Sequence, residues 1–280
     1  MINGSTAIKM GIFACIIFLA CTFSLSAHAA SHTVTIDKTI ETTDLRPFLM
    51  ISDTIPEQAT IEDVINHPFR LMEAKELPYG YYHKQLWFRI DIYNAGNEAL
   101  EIIFNTQQGF ANYIDYYLFE SNSSPITLEK LVLHERQGIL LNMRERRFGS
   151  IEMAFPLALP PHAQRTIFYR VESTMSMEFQ PQLIRVGRFF KELLFKYCLN
   201  FVLYGVLVGL LLYHLVLGIS TKDKLYFSYI GFLCAGVIYL LAFDGSIYYF
   251  WPESWWIEGR VIIFYLLYFL YFLLYCTFSY

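Results

Sequence analysis

FVLYGVLVGLLLYHLVLGISTKDKLYFSYIGFLCAGVIYLLAF, Phe201 to Phe243, holds two long apolar runs, Phe201–Ile219 and Leu225–Phe243, joined by a five-residue polar hinge, Ser220–Lys224. Crossing a hydrocarbon core of about 30 Å takes roughly 20 helical residues, so each run is long enough to span a membrane. The hinge is too short for anything but an antiparallel helical hairpin. Everything upstream must then be delivered to one face of a membrane, and everything downstream must return through it.

Composition agrees, and it is uneven. The chain is 55% hydrophobic and 16% charged. Most of the charges fall in residues 31–190, whereas 193–280 is dominated by Leu, Ile, Phe and Tyr. That shift marks a boundary near Phe189–Leu193 between a water-soluble domain, 31–188, and a membrane domain, 189–280. The soluble part is long enough for one domain with its own core. A net charge of −4 with no basic stripe argues against nucleic acid as a partner. Of the five cysteines, Cys15 and Cys21 lie in the first apolar run and Cys198, Cys234 and Cys276 in candidate membrane helices. The soluble domain therefore has neither a disulfide framework nor a thiolate metal site.

Residues 1–30 read as a secretory signal: Lys9 is the positive start, Gly11–Leu25 the apolar core and Ala27-His28-Ala29 the cleavage site. An uncleaved first helix, or a lipoprotein site at Cys21, are the other readings of the stretch. From Ser31 onward the pattern is of short strands: HTVTID (32–37), PFLMIS (47–52), LWFRIDIY (86–93), ALEIIFN (99–105), YIDYYLFE (113–120), TLEKLVL (127–133), SIEMAFPLAL (150–159), RTIFYRVES (165–173) and PQLIRV (181–186). In the third, Leu86, Phe88, Ile90 and Ile92 alternate with Trp87, Arg89, Asp91 and Tyr93, so the first set is expected to face the core. Thr60 and Asp63 form a capping box that starts one short helix. Regular strand spacing with so little helix predicts an all-β, jelly-roll-like two-sheet sandwich followed by an α-helical transmembrane bundle.

The order PFLMISD, TIEDVI, LWFRIDIYN, NYIDYYLFE, RERRFGSIEMAFPLALPPHAQRTIFYRVES resembles the type-2 extracellular domain of bacterial seven-transmembrane receptors with diverse intracellular signalling modules. The next region is similar to that family's membrane domain, through Tyr204-Gly205, the Leu-Leu-Leu-Tyr-His run, the KDKLYFSY loop, Asp244-Gly245 and the aromatic YFWP. The resemblance covers about 40–280. It implies a sensory receptor whose family continues through four more helices into a cyclase, kinase or phosphatase module. Since the chain stops after three spans, it reads as truncated; a natural three-span remnant is the alternative. His214 stands where Asn is expected in much of the family.

Export of 31–188 sends the first span, about 197–219, inward. Lys222 and Lys224 then lie in the cytoplasm, as the positive-inside rule requires, and the second span, 225–243, returns outward. A third span is expected over 261–280. The chain is thus expected to be a multi-pass protein of the bacterial inner membrane with a periplasmic sensor domain, touching membrane lipid. A homodimer is compatible with this.

No catalytic motif or phosphate-binding glycine loop is present, so the chain reads as a non-enzyme without cofactor or metal. Two stretches suit a ligand. Tyr79, Tyr81 and Tyr82 precede Trp87 and Arg89, and Arg144, Arg146 and Arg147 form a basic segment. Aromatics that stack on sugar faces, beside cations that bond hydroxyls or a carboxylate, would take a carbohydrate-like or small anionic ligand. The competing reading is that Trp87 packs beneath a loop and the arginines pair with surface acids. In the membrane, His214 and Asp244 are the polar oddities, and such groups normally face a helix bundle or water. A membrane-anchored binding protein without signalling is the alternative function.

Overall fold

The structure is a computed structural model. It describes residues 32–244, apart from 53, 57, 77, 82–84, 110, 123–124, 142–145, 149–151 and 175, together with Leu270. The signal expected over 1–30 and the third span expected over 261–280, Leu270 aside, lie outside the described residues.

Among the described residues thirteen strands precede the long helices. The larger sheet contains β1 (Thr33–Ile36), β3 (Met50–Ser52), β4 (Arg70–Leu71), β6 (Leu86–Asn94), β8 (Tyr113–Glu120), β9 (Leu131–Gln137) and β11 (Gln164–Glu172). Its order is β4-β3-β6-β11-β8-β9, and β1 runs parallel to the far end of β6. A four-stranded sheet of order β10-β7-β13-β2 faces it, built from β2 (Thr42–Asp44), β7 (Leu100–Asn105), β10 (Ala154–Leu159) and β13 (Gln182–Arg185). A small third sheet pairs β5 (Pro78–Tyr81) with β12 (Ser176–Glu178). This is the expected sandwich.

The alternation in β6 does what its period demands. Leu86, Phe88, Ile90 and Ile92 enter the main core with Tyr116, Tyr169, Phe104 and Phe155 from neighbouring and facing strands. Rings interlock across the two sheets: Tyr116 lies 4.7 Å from Phe155 in a parallel stack, and Tyr169 lies 5.3 Å from Phe104. Asn94 ends β6 by donating to the carbonyls of Glu98, Leu159 and Pro160, while its oxygen accepts from the Gly96 amide.

Both outer faces are also covered. Over the larger sheet lies α1 (Ile61–Ile65), where the Thr60 amide and hydroxyl each donate to Asp63 at 2.9 Å, so the expected helix start is present. Val64 and Ile65 of this helix bury Trp87, Phe119 and Phe168 in a second core. Over the smaller sheet lies the start of α2 (Val186–Thr221), with Phe189 sealed against Ile103, Ala154 and Ile184.

α2 begins where β13 stops: Arg185 is both the last residue of the strand and the helix N-cap. Its 36 residues rise about 54 Å, far more than a hydrocarbon core of about 30 Å. The surplus is the end docked on the sandwich. Beyond it Phe195, Phe201 and Val202 are 73%, 74% and 65% exposed, large apolar groups that only lipid or other apolar surface would cover. Among the described residues α2 alone is both long and apolar enough to cross a membrane. The following α3 (Lys224–Phe243) has a shorter apolar run, Leu225–Leu241.

The hinge is tighter than the polar residues suggest. Ser220 and Thr221 stay helical, and the Thr221 hydroxyl donates back to the Leu217 carbonyl. The turn itself is Lys222, in the left-handed region at φ 55°, and Asp223, whose carboxylate accepts from the Leu225 amide.

Candidate functional site

A cleft of about 450 Å³ opens at β9, the edge strand of the larger sheet. His134, Glu135, Arg136 and Gln137 line it from the strand, with Arg146 and Arg147 from the segment leading to β10. The strand runs Leu131–Gln137, further along than the expected 127–133, because Leu128–Lys130 form a tight helical turn. The polar HERQ sequence thereby becomes strand, and its alternation sends His134 and Arg136 to one face and Glu135 and Gln137 to the other.

On the cleft's inner side, Gln137 donates to Glu135 at 2.8 Å and to the Ala154 carbonyl at 2.9 Å. Arg147 Nε lies 3.6 Å from Glu135 Oε2. Arg146 is buried and donates to the Gly138 carbonyl at 2.7 Å. Gly138 is pressed so closely on the neighbouring strand that a Cβ there would sit 2.0 Å from the Asn112 carbonyl oxygen. Burial, reinforced by Glu135, pushes the Tyr116 phenol well above its ordinary pKa and keeps it neutral.

On the outer side, Asp115 is buried among cations. Arg170 donates to it at 2.6 and 3.0 Å, Arg136 Nε lies at 3.5 Å and His134 Nε2 at 3.7 Å. The His134 ring stacks on Tyr117 at 4.3 Å, Tyr117 stacks on Trp87 at 5.9 Å, and Arg136 covers the Tyr113 ring at 4.2 Å. Four arginines, Arg136, Arg146, Arg147 and Arg170, meet two carboxylates here, Asp115 and Glu135, which leaves an excess of positive charge.

The structure therefore joins parts of the two expected stretches, though not as a single patch. Arg146 and Arg147 are in the cleft. Trp87 is 1% exposed under α1 and reaches the cleft through Tyr117 and His134; its face is not open to stack on a sugar. Arg89 pairs with Asp91 at 3.0 Å and lies over Phe168, away from the cleft. The Tyr79 and Tyr81 backbones belong to β5, while Tyr82 and Arg144 lie outside the described residues. Glu135, Arg136 and Asp115 were not singled out in the sequence. The only signal for them was the alternation of two strands that meet in space.

A second, smaller cleft of about 230 Å³ lies where the sandwich meets α2. Glu152 accepts there from Lys196 Nζ and from the Asn105 amide, each at 2.9 Å. Burial raises the Glu152 pKa, but the bonds from Lys196 and Asn105 outweigh it and hold the carboxyl below its ordinary value.

In the helical part, His214 Nδ1 lies 2.8 Å from the Leu210 carbonyl of its own helix, so that nitrogen carries the proton, and its ring packs 4.4 Å from Tyr229 of α3. Asp244 does more than end α3: its carboxylate accepts from Asn200 and Tyr204 of α2.

The β-rich domain is continuous with a long, exposed apolar helix. Residues 51–185 match the family model described as 7TMR-DISM extracellular 2, and residues 196–279 match that described as 7TM diverse intracellular signalling. The chain belongs to this receptor family, as an extracellular sensory domain followed by a transmembrane part. Both matched domains are of the sensory kind and neither is catalytic. No curated protein matches the chain.

Proposed function

We propose that the chain is a sensory receptor of a bacterial cytoplasmic membrane. Its periplasmic sandwich, 31–188, binds a carbohydrate-like ligand bearing an acidic group, and the helices of 189–280 carry the signal to a cytoplasmic output module. The observation that carries the reading is the unbroken passage from β13 into α2 at Arg185. A flexible tether would let the domain bind without moving the helix, whereas strand running into helix makes any shift of the smaller sheet a shift of α2. The two family matches, one outside and one in the membrane, support the same reading. Arg146 and Arg147 are the ligand's anchors, with His134 and Arg136 at the rim. The basic turn at Lys222 and Lys224 faces the cytoplasm. Lys222 and the Asp223 cap hold the hairpin closed there.

The test has two arms. Calorimetry of the chain in nanodiscs against glucuronate and galacturonate oligosaccharides should give binding that Arg147→Ala weakens about tenfold. Replacing the sandwich by an unrelated domain in a receptor with its output module should abolish the response to that oligosaccharide. A response that survives the replacement overturns the proposal.

A further inference from the structure

Arg147 and Phe148 are consecutive, yet they serve different surfaces. Arg147 lines the cleft beside Glu135. Phe148 packs edge-on against two rings of α2, with centroids 5.6 Å from Phe189 and 6.1 Å from Phe190. Further along the same segment, Glu152 holds Lys196 at 2.9 Å. Phe189 and Lys196 are two helical turns apart, about 10 Å along the axis. One segment thus grips the helix at two heights and the cleft at its other end.

β9 lies at the edge of the larger sheet, and α2 packs on the smaller one. The segment that crosses from β9 to β10 carries the cleft arginines first and the helix contacts next. The Arg147–Glu135 distance of 3.6 Å is longer than a direct hydrogen bond, so an anion entering the cleft competes with Glu135 for Arg147.

We propose that Phe148 and Glu152 are positioning residues that convert occupancy of the cleft into a shift of the first turns of α2. This inference rests on the reading of the cleft as the ligand site. A ligand that pulls Arg147 from Glu135 moves Phe148 with it, and the Phe189 and Phe190 rings and the Lys196 tether must follow. Packed interfaces of this kind switch between arrangements rather than deform smoothly.

The experiment needs no ligand, so it stands apart from whether the oligosaccharides bind. Glu135→Gln removes the anion that holds Arg147, and hydrogen exchange is read at the amides of 186–196 in the full chain in nanodiscs. We expect a change of about threefold or more, within the range of coupling between linked sites. Phe148→Ala should abolish that response, and Phe148→Leu, which keeps apolar bulk, should restore it. A merely structural role for Phe148 would alter the baseline exchange and leave the response to Glu135→Gln in place. If Phe148→Ala does not fold, Lys196→Met takes its place as the blocking variant. No response in the parent background, or one that persists in both blocking variants, overturns the proposal.

Discussion

The amide of Asn200 on α2 donates to the carboxylate of Asp244, at the end of α3, at 3.0 Å. Tyr204, one turn further along α2, donates its hydroxyl to the same carboxylate oxygen. The end of the hairpin away from the Lys222–Asp223 turn is therefore clasped by polar groups. Asp244→Ala should loosen the hairpin by about 1 kcal/mol, the usual size of interhelical polar contacts in bilayers. A double-mutant cycle with Asn200→Ala, read by unfolding in mixed micelles, should return a coupling of similar size.

The Glu152–Lys196 contact makes the junction sensitive to acid. Its folded pKa lies below the ordinary 4.5, so the bond stabilises the junction fully above that value. Stability is lost as pH falls below 4.5 through the lower, folded value. Denaturant unfolding from neutral pH down to about 3 should show this loss, and Lys196→Met should flatten it.

Among the described residues the Tyr169 hydroxyl has no hydrogen-bond partner, and the side chain is 1% exposed in the main core. A buried polar group without a partner costs free energy that its removal recovers. Tyr169→Phe should stabilise the sandwich by about 1 kcal/mol in the same unfolding experiment. An unchanged or lower midpoint would show that the hydroxyl is satisfied in solution.

Gly138 is a glycine because of its neighbour rather than its own backbone angles. A methyl group at this position would collide with the Asn112 backbone, which cannot rotate away as a side chain can. Gly138→Ala should cost about 1–3 kcal/mol and displace Arg146, whose guanidinium is held by the Gly138 carbonyl. Circular dichroism melting gives the first quantity, and oligosaccharide affinity gives the second.

The inward face of β6 was legible in the sequence because Leu86, Phe88, Ile90 and Ile92 repeat with the period of a strand. The Thr60–Asp63 helix start was legible because its partners are three residues apart. Trp87 was ambiguous for a physical reason: it lies on the nominally outer face, and only the return of residues 54–69 over the sheet buries it. The cleft was half visible. Arg146 and Arg147 announce themselves as a basic run, but Asp115 and His134 come from strands whose adjacency is set by pairing, not by proximity along the chain. Asp244 stood out as a polar residue, but its partners, Asn200 and Tyr204, lie too far back in the sequence to be foreseen. The boundary near Phe189–Leu193 was legible from composition, while the grip of the helix on the sandwich depends on Phe189 finding a place against β7, β10 and β13.

The passage from β13 into α2 also sets an azimuth. Gln182 and Leu183 are locked in register with β7 and β2, and the next residues begin to wind at about 100° each. With no slack at Arg185, the compass bearing of every side chain down the shaft, as far as His214, is dictated by the sheet. One residue inserted after Arg185 would turn the whole shaft by about a quarter of a revolution while shifting it only about 1.5 Å. The molecule is in this sense keyed like a screw, and its lipid-buried end speaks in angles more than in lengths.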